Sequence, residues 1–206
     1  HVDRFQAHGI DTEGLQRDET GPTFFWKGQY HENFNRRDTL DIQLNVFETF
    51  RPKLPESYKD SSYLMLGNIA PGLQLHVLDT LSDSKPFTVA DTIDLWIDIQ
   101  KEDLLQVVSR VDLFVINDSE SEQLTGEKNI ILAGQKLLEL GTKAAIIKKG
   151  EHGAYLFHPE GRFALPAYPV TELRDPTGAG DSFAGALLGC LAALDDTSFD
   201  TIRKAM

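Results

Sequence analysis

From residue 62 onward the chain alternates between short apolar runs and helical stretches of about three turns, with little slack between them. "SYLMLGNI", "PFTVAD", "DLFVIN" and "KAAIIKKG" read as strands, being short, apolar and rich in β-branched or aromatic residues. "PGLQLHVLDTL" reads as a helix with Pro71 in its first turn, and "KEDLLQVVSRV" as another. "DSESEQLTG" and "NIILAGQKLLELG" are helices closed by Gly126 and Gly141. A strand–helix–strand unit returns the second strand parallel to the first by a right-handed crossover. "GAYLFH" and "GRFALP" then read as a hairpin. The alternation predicts an α/β fold in three layers, with helices on both faces of a mostly parallel central sheet.

The first quarter of the chain has a different rhythm. Residues 2–8 read as the tail of a helix, followed by the turn "GIDTEG". "TFFWKGQY" (residues 23–30) is an aromatic-rich strand, "HENFNRRDT" a polar connection, and "LDIQLNVF" a second extended run. Together, residues 23–47 predict a long hairpin arm rather than a core element. Phe24, Phe25 and Trp26 stand on neighbouring positions, so both faces of one strand are apolar, and an isolated two-stranded arm cannot bury both. One face is expected to close over a ligand and the other to meet a second copy, giving a homodimer. With no linker long enough to divide it, residues 1–206 read as a single domain.

Composition narrows the partners. Thirty-two acidic against twenty basic residues leave a net charge of −12. That excludes nucleic acid or an anionic membrane surface as the main partner, since both require clustered Lys and Arg. The longest apolar stretch, residues 183–194, is too short to span a bilayer, and no stretch reads as a signal peptide. The lone Cys190 cannot form an internal disulfide and is expected to be a buried, inert thiol in a reducing cytoplasm. His31, His76, His152 and His158 have no metal-ligand spacing and read as surface residues. The chain opens on His1 and stops at Met206 within a helical pattern, so a piece of a longer protein is expected.

"DPTGAGDSFAGALLG" (residues 175–189) carries the chemistry. A helix start that wants only a cap needs one Asp or Ser. Three small residues, Gly178, Ala179 and Gly180, ahead of Asp181 leave several amide N–H groups converging at a helix N-terminus that attracts anions. A Walker A loop is ruled out, because Gly185 is followed by Ala186 and not Lys. A dinucleotide fingerprint is also ruled out, because Phe183 stands where the third Gly belongs. What remains is an anion cradle with a carboxylate at its rim, suited to proton abstraction from an attacking hydroxyl, or an ordinary Asp-capped helix. Asp181, Gly185 and Gly189 fall on one helix face, which suits close packing against a sheet.

Taken whole, Asp175-Pro-Thr-Gly-Ala-Gly-Asp-Ser-Phe-Ala-Gly resembles the second signature of the ribokinase-like (PfkB) carbohydrate kinase family. The resemblance implies a ribokinase-like fold, ATP and Mg²⁺, and a sugar or sugar-like acceptor. It makes Asp181 the catalytic base and the amides of Gly178, Ala179 and Gly180 the anion hole, with Asp175 and Thr177 beside the nucleotide. "INDSESEQLTG" resembles the family's N-x-x-E element and places Asn117 near the phosphates and Glu120 near Mg²⁺, although Asn followed three residues later by Glu is also a capping box. "IIKKGEHGAYLF" resembles the nucleotide-binding strand and turn, with Lys148, Gly150 and Gly153 near ATP; many members have Thr or Ser in place of Lys148. A hairpin with glycines at its bends explains the same residues. The arm would be the family's β lid, and the family's N-terminal signature and C-terminal adenine segment lie outside this chain. Asn68, Asp91 and Asp94 sit at expected strand C-termini, where ligands of α/β proteins bind. A nucleoside kinase and a non-catalytic sugar- or nucleotide-binding regulator are the alternative readings.

Overall fold

The computed structural model describes residues 2–31 and 37–206, and the chain divides into two compact units, residues 1–60 and 61–206. In the first unit, α1 (Val2–Ala7) is followed by a two-stranded antiparallel sheet of β1 (Phe25–Tyr30) and β2 (Arg37–Gln43). The second strand begins and ends earlier than the sequence suggests: Arg37 already pairs with Tyr30, and Asn45–Thr49 coil into a 3₁₀ turn. Asn45 adopts a positive φ of 52°, which ends the extended run and lets its side-chain amide donate to the Thr23 carbonyl at 2.9 Å. Part of the "HENFNRRDT" connection, residues 32–36, lies outside the described residues.

No described residue of this unit is fully buried, so ring contacts and polar ties hold it rather than a core. Phe47 stacks on Phe50 at 5.6 Å and meets Phe24 edge-on at 5.8 Å. Tyr58 receives the Gly14 amide and donates to the Asp11 carbonyl, both at 3.2 Å. Trp26 lies over Gly28, where a Cβ would strike its ring, and donates Nε1–H to Thr39 at 3.2 Å.

The second unit is built on six strands in sequence order: β3 (Tyr63–Leu66), β4 (Phe87–Asp91), β5 (Leu113–Asn117), β6 (Ala144–Lys148), β7 (Ala154–His158) and β8 (Gly161–Leu165). The first four are mutually parallel, and β7 and β8 return antiparallel as the expected hairpin. The helices are α2 (Pro71–Thr80), α3 (Asp94–Ile99), α4 (Lys101–Val108), α5 (Asp118–Thr125), α6 (Ile130–Glu139), α7 (Ala179–Leu194) and α8 (Phe199–Ala205). The short α3 was not evident in the sequence, because its six residues offer too few turns for a periodic signal.

Strand parity sorts the layers. Val89, Leu113, Val115, Ala144 and Ile146 share one face with Leu187, Leu188 and Leu191 of α7 and Ile202 of α8. Ala90, Phe114, Ile116, Ala145, Ile147 and Phe157 are equally buried on the other face, where α6 packs with Gly134 against the Phe157 ring. Strands covered on both sides read as unbroken apolar runs, which is why "LFVIN" and "AAIIK" carry no alternation. Two expectations fail here. Gly185 and Gly189 are exposed with open space where a Cβ would go; Ala184, Leu187, Leu188 and Leu191 form the packing stripe of α7 instead, because burying leucine side chains removes far more apolar surface than close approach at glycine. Cys190, at the edge of that stripe, is only half-buried.

Candidate active site

Asp175 to Asp181 form the approach and first turn of α7. The Asp175 carboxylate accepts the Thr177 amide at 2.9 Å, and bonding to the Thr177 hydroxyl and then to that amide holds its pKa below the usual carboxylate value. Gly178 caps α7 at φ 79°, the left-handed region that favours glycine. Ala179 turns its N–H back onto the Pro176 carbonyl at 3.1 Å, so this amide is spent on the turn itself. The next amides, of Gly180 and Asp181, belong to the helix's open end, where no carbonyl precedes them at helical spacing. Asp181 is exposed, and its Oδ2 lies 3.9 Å from the point a Cβ on Gly178 would occupy. Its carboxylate therefore stands over the glycine turn.

The sheet delivers the other groups to the same end of the fold. Asn117 and Lys148 are the last residues of β5 and β6 and are direct register partners. By strand parity both point to the α7 face, as does Asp91 at the end of β4. Lys148 reaches under the helix: its Nζ lies 2.8 Å from where a Cβ on Gly180 would sit. Asp91 is 5% exposed, and burial pushes its carboxyl up to about 6, opposed by the Lys148 ammonium and reinforced by the Asp181 charge. Gln74, also buried, donates its amide to the carbonyls of Leu66 (3.3 Å), Gly67 (3.0 Å) and Asp91 (3.2 Å). Three carbonyl acceptors determine the orientation of that amide and tie the ends of β3 and β4 together. No periodicity or motif singles out Gln74 in the sequence.

Asn117 and Glu120 form a complete capping box at the start of α5. The Glu120 amide donates to Asn117 Oδ1 at 2.8 Å, and the Asn117 amide donates to Glu120 Oε2 at 3.0 Å. Glu120 is 5% exposed, with one carboxylate oxygen committed to the cap. Gly150 and Gly153, both at positive φ, shape the β6–β7 turn, where the Lys149 amide donates to the Gly153 carbonyl at 2.7 Å. A Cβ on Gly153 would strike the Leu165 carbonyl, so glycine is a requirement of the sheet at that position. Among the residues considered for acceptor contact, Asn68 is exposed and its Oδ1 accepts Trp96 Nε1–H at 2.8 Å; Asp94 is exposed at the start of α3. His158 is not a surface residue in the expected sense, for it stacks on Phe199 at 5.3 Å. Among the described residues no three His, Cys, Asp or Glu side chains are placed to hold a metal ion, and no helix is long and apolar enough to cross a membrane.

The second unit's parallel sheet, with its polar groups at the strand ends beneath a glycine-led helix, places the chain among ribokinase-like proteins. Ribokinase from Giardia lamblia superposes with a TM-score of 0.80 at 18% identity, covering 99% of this chain and 69% of that one. Aminoimidazole riboside kinase from Salmonella enterica, solved with aminoimidazole riboside and an ATP analog, gives 0.75 at 22% identity, covering 99% and 70%. The particular family follows from the sequence match: residues 1–205 fit the pfkB family carbohydrate kinase description, and the chain belongs to that family. A cytidine kinase from Thermococcus kodakarensis is 33% identical over 139 residues, 66% of this chain. The chain spans about half the length of that relative, 49%.

Proposed function

We propose that the protein is an ATP-dependent kinase that transfers the γ-phosphoryl group to a hydroxyl of a sugar or sugar-like molecule. The observation that carries the reading is the first turn of α7, where an exposed carboxylate, two open amides and the Lys148 ammonium converge. Asp181 accepts the proton as the acceptor oxygen attacks the γ-phosphorus. An O–P bond forms as the bond to the ADP oxygen breaks, and the amides of Gly180 and Asp181 with Lys148 meet the charge on the transferring group. Gly178 and Ala179 shape the cradle, and Asp175 with Thr177 sets its approach. Asn117 lies at the phosphate side of the site, and the Lys148–Gly153 turn at the nucleotide side.

The fit of Mg²⁺ to these residues is specific. Glu120 has one oxygen bonded to the Asn117 amide and is almost fully buried, so it suits a water-mediated hold on the ion and not direct ligation. Bound there, Mg²⁺ would neutralise charge on the β- and γ-phosphate oxygens. Use of ATP makes the cytoplasm the expected compartment. The arm at residues 23–47 is read as the lid and the dimer contact, supported by the exposed Phe24, Phe25, Leu40 and Ile42 of the first unit.

The similarity to a cytidine kinase favours a nucleoside as the acceptor within this reading. An acceptor screen on the full-length protein with Mg-ATP, following ADP release across pentoses, hexoses, inositols and nucleosides, tests it. Turnover on sugars supports the main reading, and hits on nucleosides alone select the second. Ligand binding with no turnover on any acceptor overturns both in favour of a binding regulator.

A further inference from the structure

Asp91 is an expensive residue where it stands. Its Oδ1 is buried with no hydrogen-bond partner, at the end of a strand otherwise filled by Val89 and Ala90. An unpaired buried carboxyl oxygen costs stability that an amide or apolar side chain would spare, so its presence calls for a physical reason. The charged groups acting on it come from two other elements: Lys148 of β6 attracts, and Asp181 of α7 repels. The remaining neighbours at this end, Asn117 of β5 and Gln74 of α2, do not titrate. The Lys148 ammonium meanwhile lies beneath Gly180, in the one place where it can serve the cradle.

We propose that Asp91 is a positioning residue for Lys148: its buried carboxylate, on the same face of the sheet, holds the ammonium under the first turn of α7 beside Asp181. The cradle then has its positive charge in place before any phosphate arrives, which lowers the reorganisation needed during transfer. A lysine on an open strand end would otherwise trade this position for solvent, since its four-carbon stem is flexible and its ammonium strongly hydrated. Gln74 contributes to the same end by binding the Asp91 carbonyl, which leaves the carboxylate little freedom to follow Lys148 outward. The inference rests on the kinase reading for its purpose, but the Asp91–Lys148 couple itself is measurable without turnover.

Two measurements on the full chain test it. Carboxyl ¹³C titration of aspartate-labelled protein, with Asp91 assigned by its absence from Asp91→Asn, should show a midpoint that rises in Lys148→Met and falls in Asp181→Asn. An unmoved midpoint in Lys148→Met overturns the couple whether or not the protein is active. In steady-state kinetics, Asp91→Asn should lower kcat by about 10- to 100-fold with little change in KM for the acceptor. In the Lys148→Met background it should have no further effect, because the group it positions is gone. Effects that multiply would overturn the positioning role. Failure of the wild type to phosphorylate any acceptor, with the titration coupling intact, would overturn the kinase reading and leave the couple standing.

Discussion

Asp181 is exposed in the first turn of α7, and a carboxylate there gains a little from the helix dipole whether or not it does chemistry. The two roles separate on substitution. Asp181→Asn should retain fold and ATP affinity while kcat falls by about 10² to 10⁴, towards the upper end because a sugar hydroxyl holds its proton tightly. Steady-state assay beside ATP titration calorimetry checks this; a variant keeping a tenth of the activity would remove Asp181 as the base. Asp91 permits a stability prediction with a definite sign. Its folded pKa of about 6 lies above the unfolded value of 3.8, so the folded state binds the extra proton. The corresponding stability is fully present below the unfolded pKa and is lost as pH rises through about 6. Urea unfolding of the wild type should therefore weaken between about pH 4 and pH 7, by up to about 3 kcal/mol, and the fall should be missing from Asp91→Asn.

At the scale of elements, two short segments carry both structure and the proposed chemistry. The capping box of α5 tolerates glutamine at its third position, so Glu120→Gln should leave the melting temperature unchanged. If Glu120 also steadies the water shell of Mg²⁺, the same variant should need more Mg²⁺ for half-maximal rate, and an unchanged Mg²⁺ curve would leave it as a cap alone. The β6–β7 turn has less tolerance. Gly153 is held at φ 94° with backbone atoms of Leu165, Pro166 and Ala167 around the missing Cβ, none of which can swing aside as a side-chain tip would. Gly153→Ala should cost about 3 kcal/mol or more, read by urea unfolding, from strain and clash together. Gly180→Ala is the contrasting case: its Cβ meets only the tip of Lys148. Fold stability should be nearly unaffected while kcat drops, because the ammonium is pushed out of the cradle.

At the scale of the whole molecule, the exposed Phe24, Phe25, Leu40 and Ile42, between 40% and 55% accessible, are the natural surface for a second copy. Sedimentation should show a dimer for the wild type and a monomer for Phe25→Asp; a monomeric wild type would end the proposed pairing. The order of elements from β3 to α8, the three layers and the glycine-led start of α7 were legible from the sequence, because each depends on local signals. Apolar period, proline at a first turn, glycine at a last one and a capping pair are all written within a few residues. The start of β2, the six residues of α3 and the packing stripe of α7 were not, since pairing register and competition for buried area are decided elsewhere in the chain. The same division runs through the site. "GAGD" and "NDSE" declare themselves in sequence, and so does a lysine at the end of a strand. That Asp91 is buried with an unpaired oxygen, that Lys148 lies beneath Gly180, and that Gln74 binds three carbonyls at the strand ends was decided by tertiary structure alone. These groups lie on β4, β6, α2 and α7, and only the stacking of parallel strands under one helix brings such distant parts of the chain within electrostatic reach.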